Sequence, residues 1–331
     1  MPHATRRTPA TAICRRTWFL VAGAMCLSST GILNGICAEP PSPKTVTFRI
    51  MGYLPDYRLA TFAPQACRHV TDLIAFSIEP EADGTLNQRR FGATEWKRLK
   101  AITKQHGVGL HVCVGGWERS KHFAAMARSP VSRRNFVENV VRLSQRHGLA
   151  GIDIDWEHPQ GPRQQADYEV LLTELAVACR PAGVQLSVAA AGWQSFSSTA
   201  FQAVDRIHLM SYDAPQRHAT LDQSRRDIDR YLKMGCPAEK LCLCLPFYGR
   251  HIKNRTARTY AEIVKTHHPR PEIDEVQGVY FNGPRTIRSK TRLAITGHLA
   301  GICVWELGQD TQDASSLLLS IVAARKAAAS R

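Results

Sequence analysis

From about residue 45 onward, eight short apolar runs alternate with longer amphipathic stretches, an order that few architectures satisfy. The runs cover residues 46–53, 72–78, 109–114, 151–156, 184–191, 206–211, 240–247 and 301–305. Each is short and rich in Val, Ile, Leu or aromatic residues, which predicts buried strands. Between them the spacing predicts helices. Residues 132–147 place Phe136, Val140, Val141 and Leu143 on one face and stop at Gly148. Residues 168–179 behave alike, as do 284–296, which stop at Gly297. Strand and helix in alternation, eight times over, predict an α/β fold: a single (β/α)8 barrel without a large α+β insertion, whose usual length is about 250 residues. In such a barrel chemistry collects at the carboxyl ends of the strands. Polar and aromatic residues stand at those ends: Tyr53, Ser77, Gly115-Gly116-Trp117, Asp155 to Glu157, Trp193, Tyr212-Asp213, Tyr248 and Trp305.

The N-terminal residues are of another kind. Arg6, Arg7, Arg15 and Arg16 precede an apolar run from Trp18 through Leu27, and Ile36-Cys37-Ala38 leads into Glu39-Pro40-Pro41. A positive start, a short apolar run and a small residue before a polar break predict a signal peptide over residues 1–38 and a linker over 39–45. Residues 46–331 are then the barrel, and the expected location is secreted or periplasmic. General secretion is favoured over the twin-arginine route that Arg15-Arg16 faintly suggests. No later run is long enough to span a bilayer, so no stable membrane association is expected. The formal charge is +15, four of it from the leader arginines, leaving +11 beyond them. Those basic residues are scattered, with no interleaved aromatics, so a solvated surface is expected rather than a nucleic-acid partner. Seven cysteines remain beyond the leader, an odd number at irregular spacing, which is no disulfide framework. Cys113, Cys242, Cys244 and Cys303 fall inside apolar runs and are expected as buried thiols. Leu241-Cys-Leu-Cys-Leu245 has no suitably spaced His or Cys partner along the chain, so no metal is expected there.

The run at 151–156 carries chemistry. Asp153, Asp155 and Glu157 are spaced by two, which on a strand puts all three on one face and turns Ile154 and Trp156 toward the helices. Three inward carboxylates within roughly 14 Å of strand rise repel one another and hold at least one proton near neutral pH. A retained proton is what a general acid needs. A calcium or magnesium site is the alternative, but a rigid strand suits it poorly.

Ala150-Gly-Ile-Asp-Ile-Asp-Trp-Glu-His-Pro159 closely resembles the D-G-x-D-x-D-x-E signature of glycoside hydrolase family 18, the chitinases and their relatives. Gly52-Tyr53-Leu-Pro-Asp-Tyr57 resembles the family's first strand, Cys113-Val-Gly-Gly-Trp117 its third and Met210-Ser-Tyr-Asp213 its sixth. Leu245-Pro-Phe-Tyr-Gly-Arg250 resembles the seventh, and the segment from Gly301 to Asp310 the eighth. The likeness spans residues 47 to about 315 in the right order. It implies that Glu157 protonates the glycosidic oxygen while the substrate's own 2-acetamido oxygen is the nucleophile, an exception to the two-carboxylate scheme. Asp155 is implied to hold the acetamido N–H, Asp153 to share a proton with Asp155, and Tyr212, assisted by Asp213, to position the acetamido oxygen. Trp305 is implied to be the floor under the −1 sugar. Met210, Tyr53, Phe76, Trp117 and Tyr248 are weaker lining candidates that packing alone also explains. Trp193 and Trp117 are expected to extend the groove.

Three departures stand out. Ala150 replaces the first Asp of the signature, where a loss should touch stability rather than chemistry. Cys113 replaces a Ser, a stronger donor than a thiol. His158 stands where tyrosine is usual. Only about fifty residues separate Arg250 from Gly301, so a shallow cleft is expected. The implied substrate is chitin or chitooligosaccharide, with peptidoglycan and N-glycan cores, which carry the same sugar, as alternatives. No cofactor and a monomeric state are expected. The rival reading is a chitinase-like lectin on a dead barrel, which retention of Glu157, both aspartates and Tyr212 disfavours.

Overall fold

The computed structural model describes residues 47–330, so the leader and the linker read from sequence lie outside the described residues. Eight parallel strands close on themselves: β1 (Arg49–Pro55), β2 (Asp72–Pro80), β3 (Gly109–Gly115), β4 (Gly151–Asp155), β5 (Gln185–Ala191), β6 (Arg206–Met210), β7 (Leu241–Pro246) and β8 (Gly301–Trp305). β1 pairs with both β8 and β2, which completes the barrel. The outer layer includes α1 (Ala93–His106), α2 (Pro130–His147), α3 (Gly161–Cys179), α4 (Ser198–Ala203), α5 (Leu221–Lys233), α6 (Pro284–Thr296) and α7 (Leu317–Ala329). Among the described residues no helix is long and apolar enough to cross a membrane.

Alternation along each strand divides the core in two. Outward residues such as Ile50, Leu73, Ile152, Ile154 and Val304 pack under the helices. Inward residues form a smaller cluster of Met51, Tyr53, Ile74, Phe76, Cys113, Cys242, Cys244 and Cys303. At the start of β2, Asp72 is buried and takes contacts from Arg49, from Thr71 at 2.7 Å and from His111 at 3.1 Å. These bonds outweigh burial, which works against them, and hold its carboxyl well below the ordinary range. Asp72→Ala leaves Arg49 without a counter-charge and His111 without its hydrogen-bond partner, and is expected to cost about 3–5 kcal/mol in denaturant unfolding. The substrate affinity of the folded fraction should not change, because this end of the barrel is opposite the chemistry.

Two features add to the expected barrel. The segment after β7 carries no large insertion but builds a low wall: Tyr248–His251, Ala257–Thr259, Val279–Tyr280 and Glu275–Val276 form a four-stranded antiparallel sheet beside the helix Tyr260–His267. And Cys242, which has no His partner along its own strand, has one in register on the adjacent strand, His208 on β6, and Cys303 on β8 projects into the same interior. All seven cysteines of the described residues are free and buried.

Candidate active site

A cleft of about 1000 Å³ opens at the carboxyl ends of the strands. Eleven of the twelve residues singled out from sequence line it: Asp155, Glu157, Tyr212, Trp305, Asp213, Met210, Tyr53, Phe76, Trp117, Tyr248 and Trp193. Asp153 lies beneath it, fully buried. Trp117 and Trp193 are 68% and 62% exposed, which puts both at the rim rather than in the core. Trp305 packs edge-on against Phe76 at 4.6 Å and beside Tyr53 at 5.5 Å, so its orientation is fixed by aromatic neighbours.

Two successive glycines bring β3 against the carboxylates. Gly115 and Gly116 have φ of 101° and 103°. A Cβ on Gly115 would sit 2.2 Å from the Asp155 carbonyl oxygen, and one on Gly116 2.3 Å from the Phe76 ring. Only residues without a side chain let the strands approach so closely. On the outer face, Trp156 stacks on Phe123 with ring centroids 5.3 Å apart, anchoring β4 to the helix layer.

The three acids of β4 differ in environment. Asp153 accepts from Tyr53 Oη at 2.7 Å and from Ser187 Oγ at 2.7 Å, and its Oδ1 lies 3.1 Å from His208 Nδ1. Burial alone would raise its pKa, but His208 and the two hydroxyls bring it below the ordinary value. Asp155 is raised well above the ordinary carboxylate range, by burial first and then by Glu157 and Asp153. The proton expected to be shared between the two aspartates is therefore held on Asp155, because both oxygens of Asp153 are already engaged. Asp155 Oδ1 has no hydrogen-bond partner among the described residues. Glu157 is pushed up to about 7 by burial and by the charge of Asp213, against a hydrogen bond from the Trp117 N–H that pulls it down.

The other carboxylates of the cleft are engaged. Asp213 is clamped by Arg250, with Nη2 at 2.8 Å, and accepts from Tyr248 Oη at 2.9 Å. Asp227 accepts from Ser211 at 2.7 Å and Gln223 at 2.6 Å. Glu262 accepts from the Thr259 N–H at 2.9 Å as part of a helix cap. Tyr212 stands edge-on to Tyr248 at 6.1 Å, and burial raises its pKa, so it stays a neutral donor. His158 meets Trp193 edge-on at 4.8 Å and lies 3.7 Å from Glu157 Oε2. Burial lowers its pKa, so at neutral pH it sits beside Glu157 as an uncharged imidazole.

With this geometry in place, comparison with known proteins gives one consistent answer. The family model described as Glycosyl hydrolases family 18 matches residues 49–310. The chain belongs to that family. It is similar to "Probable chitinase 2" of Drosophila melanogaster, 26% identical over 268 residues, covering 70% of this chain and 52% of that protein. It is also similar to "Chitinase 1" of Aphanocladium album, 30% identical over 232 residues and 55% of each chain. The chain thus spans about half the length of these curated relatives. Among solved structures, a GH18 chitinase from the chitin utilization locus of Flavobacterium johnsoniae superimposes with a TM-score of 0.75. That pair is 24% identical over 85% of this chain and 94% of the other, a likeness of fold. A Cycas revoluta GH18 chitinase mutant in complex with (GlcNAc)4 gives 0.75 at 20% identity, over 84% and 99%.

Sequence reasoning passed over His208, His218 and the arginines of the wall. His208 is one polar residue in an apolar run, which the alternation pattern alone does not distinguish from core. Arg255 and Arg258 reach the cleft only because the small antiparallel sheet folds over it. Cys113 pairs in register with Asp153 and is fully buried. Its thiol is pushed up by burial and by the three acids, so it remains a weak neutral donor to Asp153. Cys113→Ser, a stronger donor there, is expected to lower the pKa of Asp153 further and displace the pH–rate profile modestly. Superimposable profiles for variant and parent would refute that coupling.

Proposed function

We propose that this protein is a chitinase-type glycosidase. In this reading it cleaves β-1,4 bonds next to N-acetylglucosamine in chitin or chitooligosaccharides, with retention and with help from the substrate's own acetamide. The observation that carries the reading is the state of the carboxylates. Glu157 holds a proton up to about pH 7, as a general acid must. A carboxylate nucleophile would have to be ionised and free. Asp155 keeps its proton, Asp213 and Asp227 are tied by hydrogen bonds, and Glu262 caps a helix. A substrate that brings its own acetamido oxygen needs no such group.

In the proposed reaction Glu157 protonates the bridging oxygen as the bond to the anomeric carbon breaks. The acetamido oxygen closes on that carbon to give an oxazolinium ion. Asp155, whose Oδ1 has no partner among the described residues, accepts the acetamido N–H there. Tyr212 orients the acetamido oxygen, a positioning effect. Trp305 offers a ring face to the apolar side of the sugar. Glu157, now ionised, takes a proton from the water that opens the oxazolinium ring. Export to the cell exterior or periplasm is part of the same proposal and rests on the leader sequence.

Incubation with the N-acetylglucosamine tetramer tests the reading, with Glu157→Gln as control. The parent is expected to release shorter oligomers and the variant to bind without cleaving. Binding without cleavage in the parent would favour the lectin. Cleavage of peptidoglycan fragments or N-glycans in preference to the tetramer would move the substrate assignment.

A further inference from the structure

Beneath the carboxylates the barrel holds a second group of reactive side chains that the proposed hydrolysis does not use. A ring nitrogen of His208 and the sulfurs of Cys242 and Cys303 all lie within 4.8 Å of one another, and all three residues are fully buried. They come from adjacent strands: His208 pairs in register with Cys242, and β7 in turn pairs with β8, which carries Cys303. Cys244, in register beside Cys303, is a further sulfur in the same interior cluster.

The tautomer of His208 follows from its neighbours. Tyr53 Oη gives its one proton to Asp153 Oδ2 at 2.7 Å, so toward His208 Nδ1, 2.8 Å away, it is an acceptor. Asp153 Oδ1, 3.1 Å from the same nitrogen, is also an acceptor. Nδ1 therefore carries the hydrogen, and the lone pair is on Nε2. That nitrogen has no hydrogen-bond partner among the described residues. A buried acceptor without a partner costs stability, and native interiors seldom leave one. Buried thiols alone are unremarkable as small apolar groups. Thiols gathered beside an imidazole that has one nitrogen held by a carboxylate and the other without a partner are a different matter. Carboxylate, histidine and metal in line is the usual support of a metal-bound imidazole.

We propose that His208 Nε2, Cys242 Sγ and Cys303 Sγ form a buried site for a divalent thiophilic ion of the zinc class. Metal–sulfur bonds of about 2.3 Å and metal–nitrogen bonds of about 2.0–2.1 Å put such ligands roughly 3.5–3.8 Å apart, so ligand atoms that lie within 4.8 Å of one another close by about 1 Å at most on binding. Binding replaces the protons of two thiols by one dication: two S–H bonds break, two metal–sulfur bonds form and two protons leave to solvent. With a neutral imidazole the loaded site has no net charge, as a dry interior requires. A monovalent copper ion on the same two thiolates would leave a buried negative charge. The site is independent of the glycosidase reading, and its test does not use turnover.

Full-length protein is unfolded with chelator, then refolded with or without one equivalent of Zn2+, passed through a sizing column and analysed for metal. One ion per chain is expected in the parent. Cys242→Ala and Cys303→Ala should each weaken binding at least tenfold, whereas Cys67→Ala, outside the barrel interior, should not. Calorimetry in buffers of different ionisation enthalpy should count two protons released per ion. If the variants fail to fold, the parent refolded with Co2+ decides: intense thiolate-to-cobalt absorption supports the site, and its absence refutes it. Folded parent with negligible zinc, full binding in both variants, or retention of Cu+ with exclusion of Zn2+ would each overturn the proposal. So would a parent mass two hydrogens low, since a disulfide would consume the ligands.

Discussion

Replacing Glu157 by Gln is expected to lower kcat on the N-acetylglucosamine tetramer by about 10²–10⁴-fold, the usual contribution of a general acid, while KM stays within a few-fold. Gln is close in shape and keeps an acceptor for the Trp117 N–H, so the cleft retains its form. What it lacks is a proton to give to the leaving oxygen. A comparable fall in both kcat and KM would point to lost ground-state strain instead. Residual turnover in the variant is expected to be insensitive to pH near neutrality, because the titrating acid is gone.

The same substitution is expected to stabilise the fold in alkaline solution. Glu157 titrates near 7 in the folded protein, against an ordinary value of 4.5. Its folded-state pKa is thus raised, and the folded state binds the extra proton. That contribution is full below about pH 4.5 and is lost as pH rises through about 7. Above that range the parent carries a buried charge that Glu157→Gln does not. The variant should exceed the parent by up to about 3 kcal/mol at pH 8.5 and match it at pH 4. Activity of the parent should fall over the same alkaline interval, about tenfold per pH unit beyond the pKa. Denaturant unfolding at the two pH values checks the first statement, and a pH–rate profile the second. Equal stability at pH 8.5 would mean that Glu157 is solvated in the free protein.

The fold was legible because each strand is a compact apolar run. Residues 301–305 match β8 end to end, since Gly301 opens the run and Trp305 closes it. β1 starts at Arg49 rather than at 46, because Thr47 and Phe48 precede the first ladder pair, Arg49 with Gly301. α3 begins at Gly161, well before the apolar face becomes visible at Tyr168, since its first turns are polar and half exposed. The wall over the cleft escaped notice for a related reason: its strands are two to four residues long, too short for alternation to register.

The site was legible where a motif placed residues on one strand and obscure where it depended on pairing across strands. Asp153, Asp155 and Glu157 share β4, so their common face follows from spacing alone. That Asp153 belongs to Tyr53, Ser187 and His208, and not to Asp155, depends on β1, β5 and β6 meeting inside the barrel. The gathering of His208, Cys242 and Cys303 depends likewise on register between neighbouring strands.

The acetamide is the central requirement, and it can be tested without altering the protein. The N-acetylglucosamine tetramer and the glucosamine tetramer have the same length, linkage and ring, and differ in the group proposed as nucleophile. Time-resolved product analysis of the two, with the anomer of the first product read by NMR, is expected to show hydrolysis of the acetylated tetramer alone and β-anomer appearing first. Comparable cleavage of the glucosamine tetramer, or α-anomer as the first product, would contradict the account.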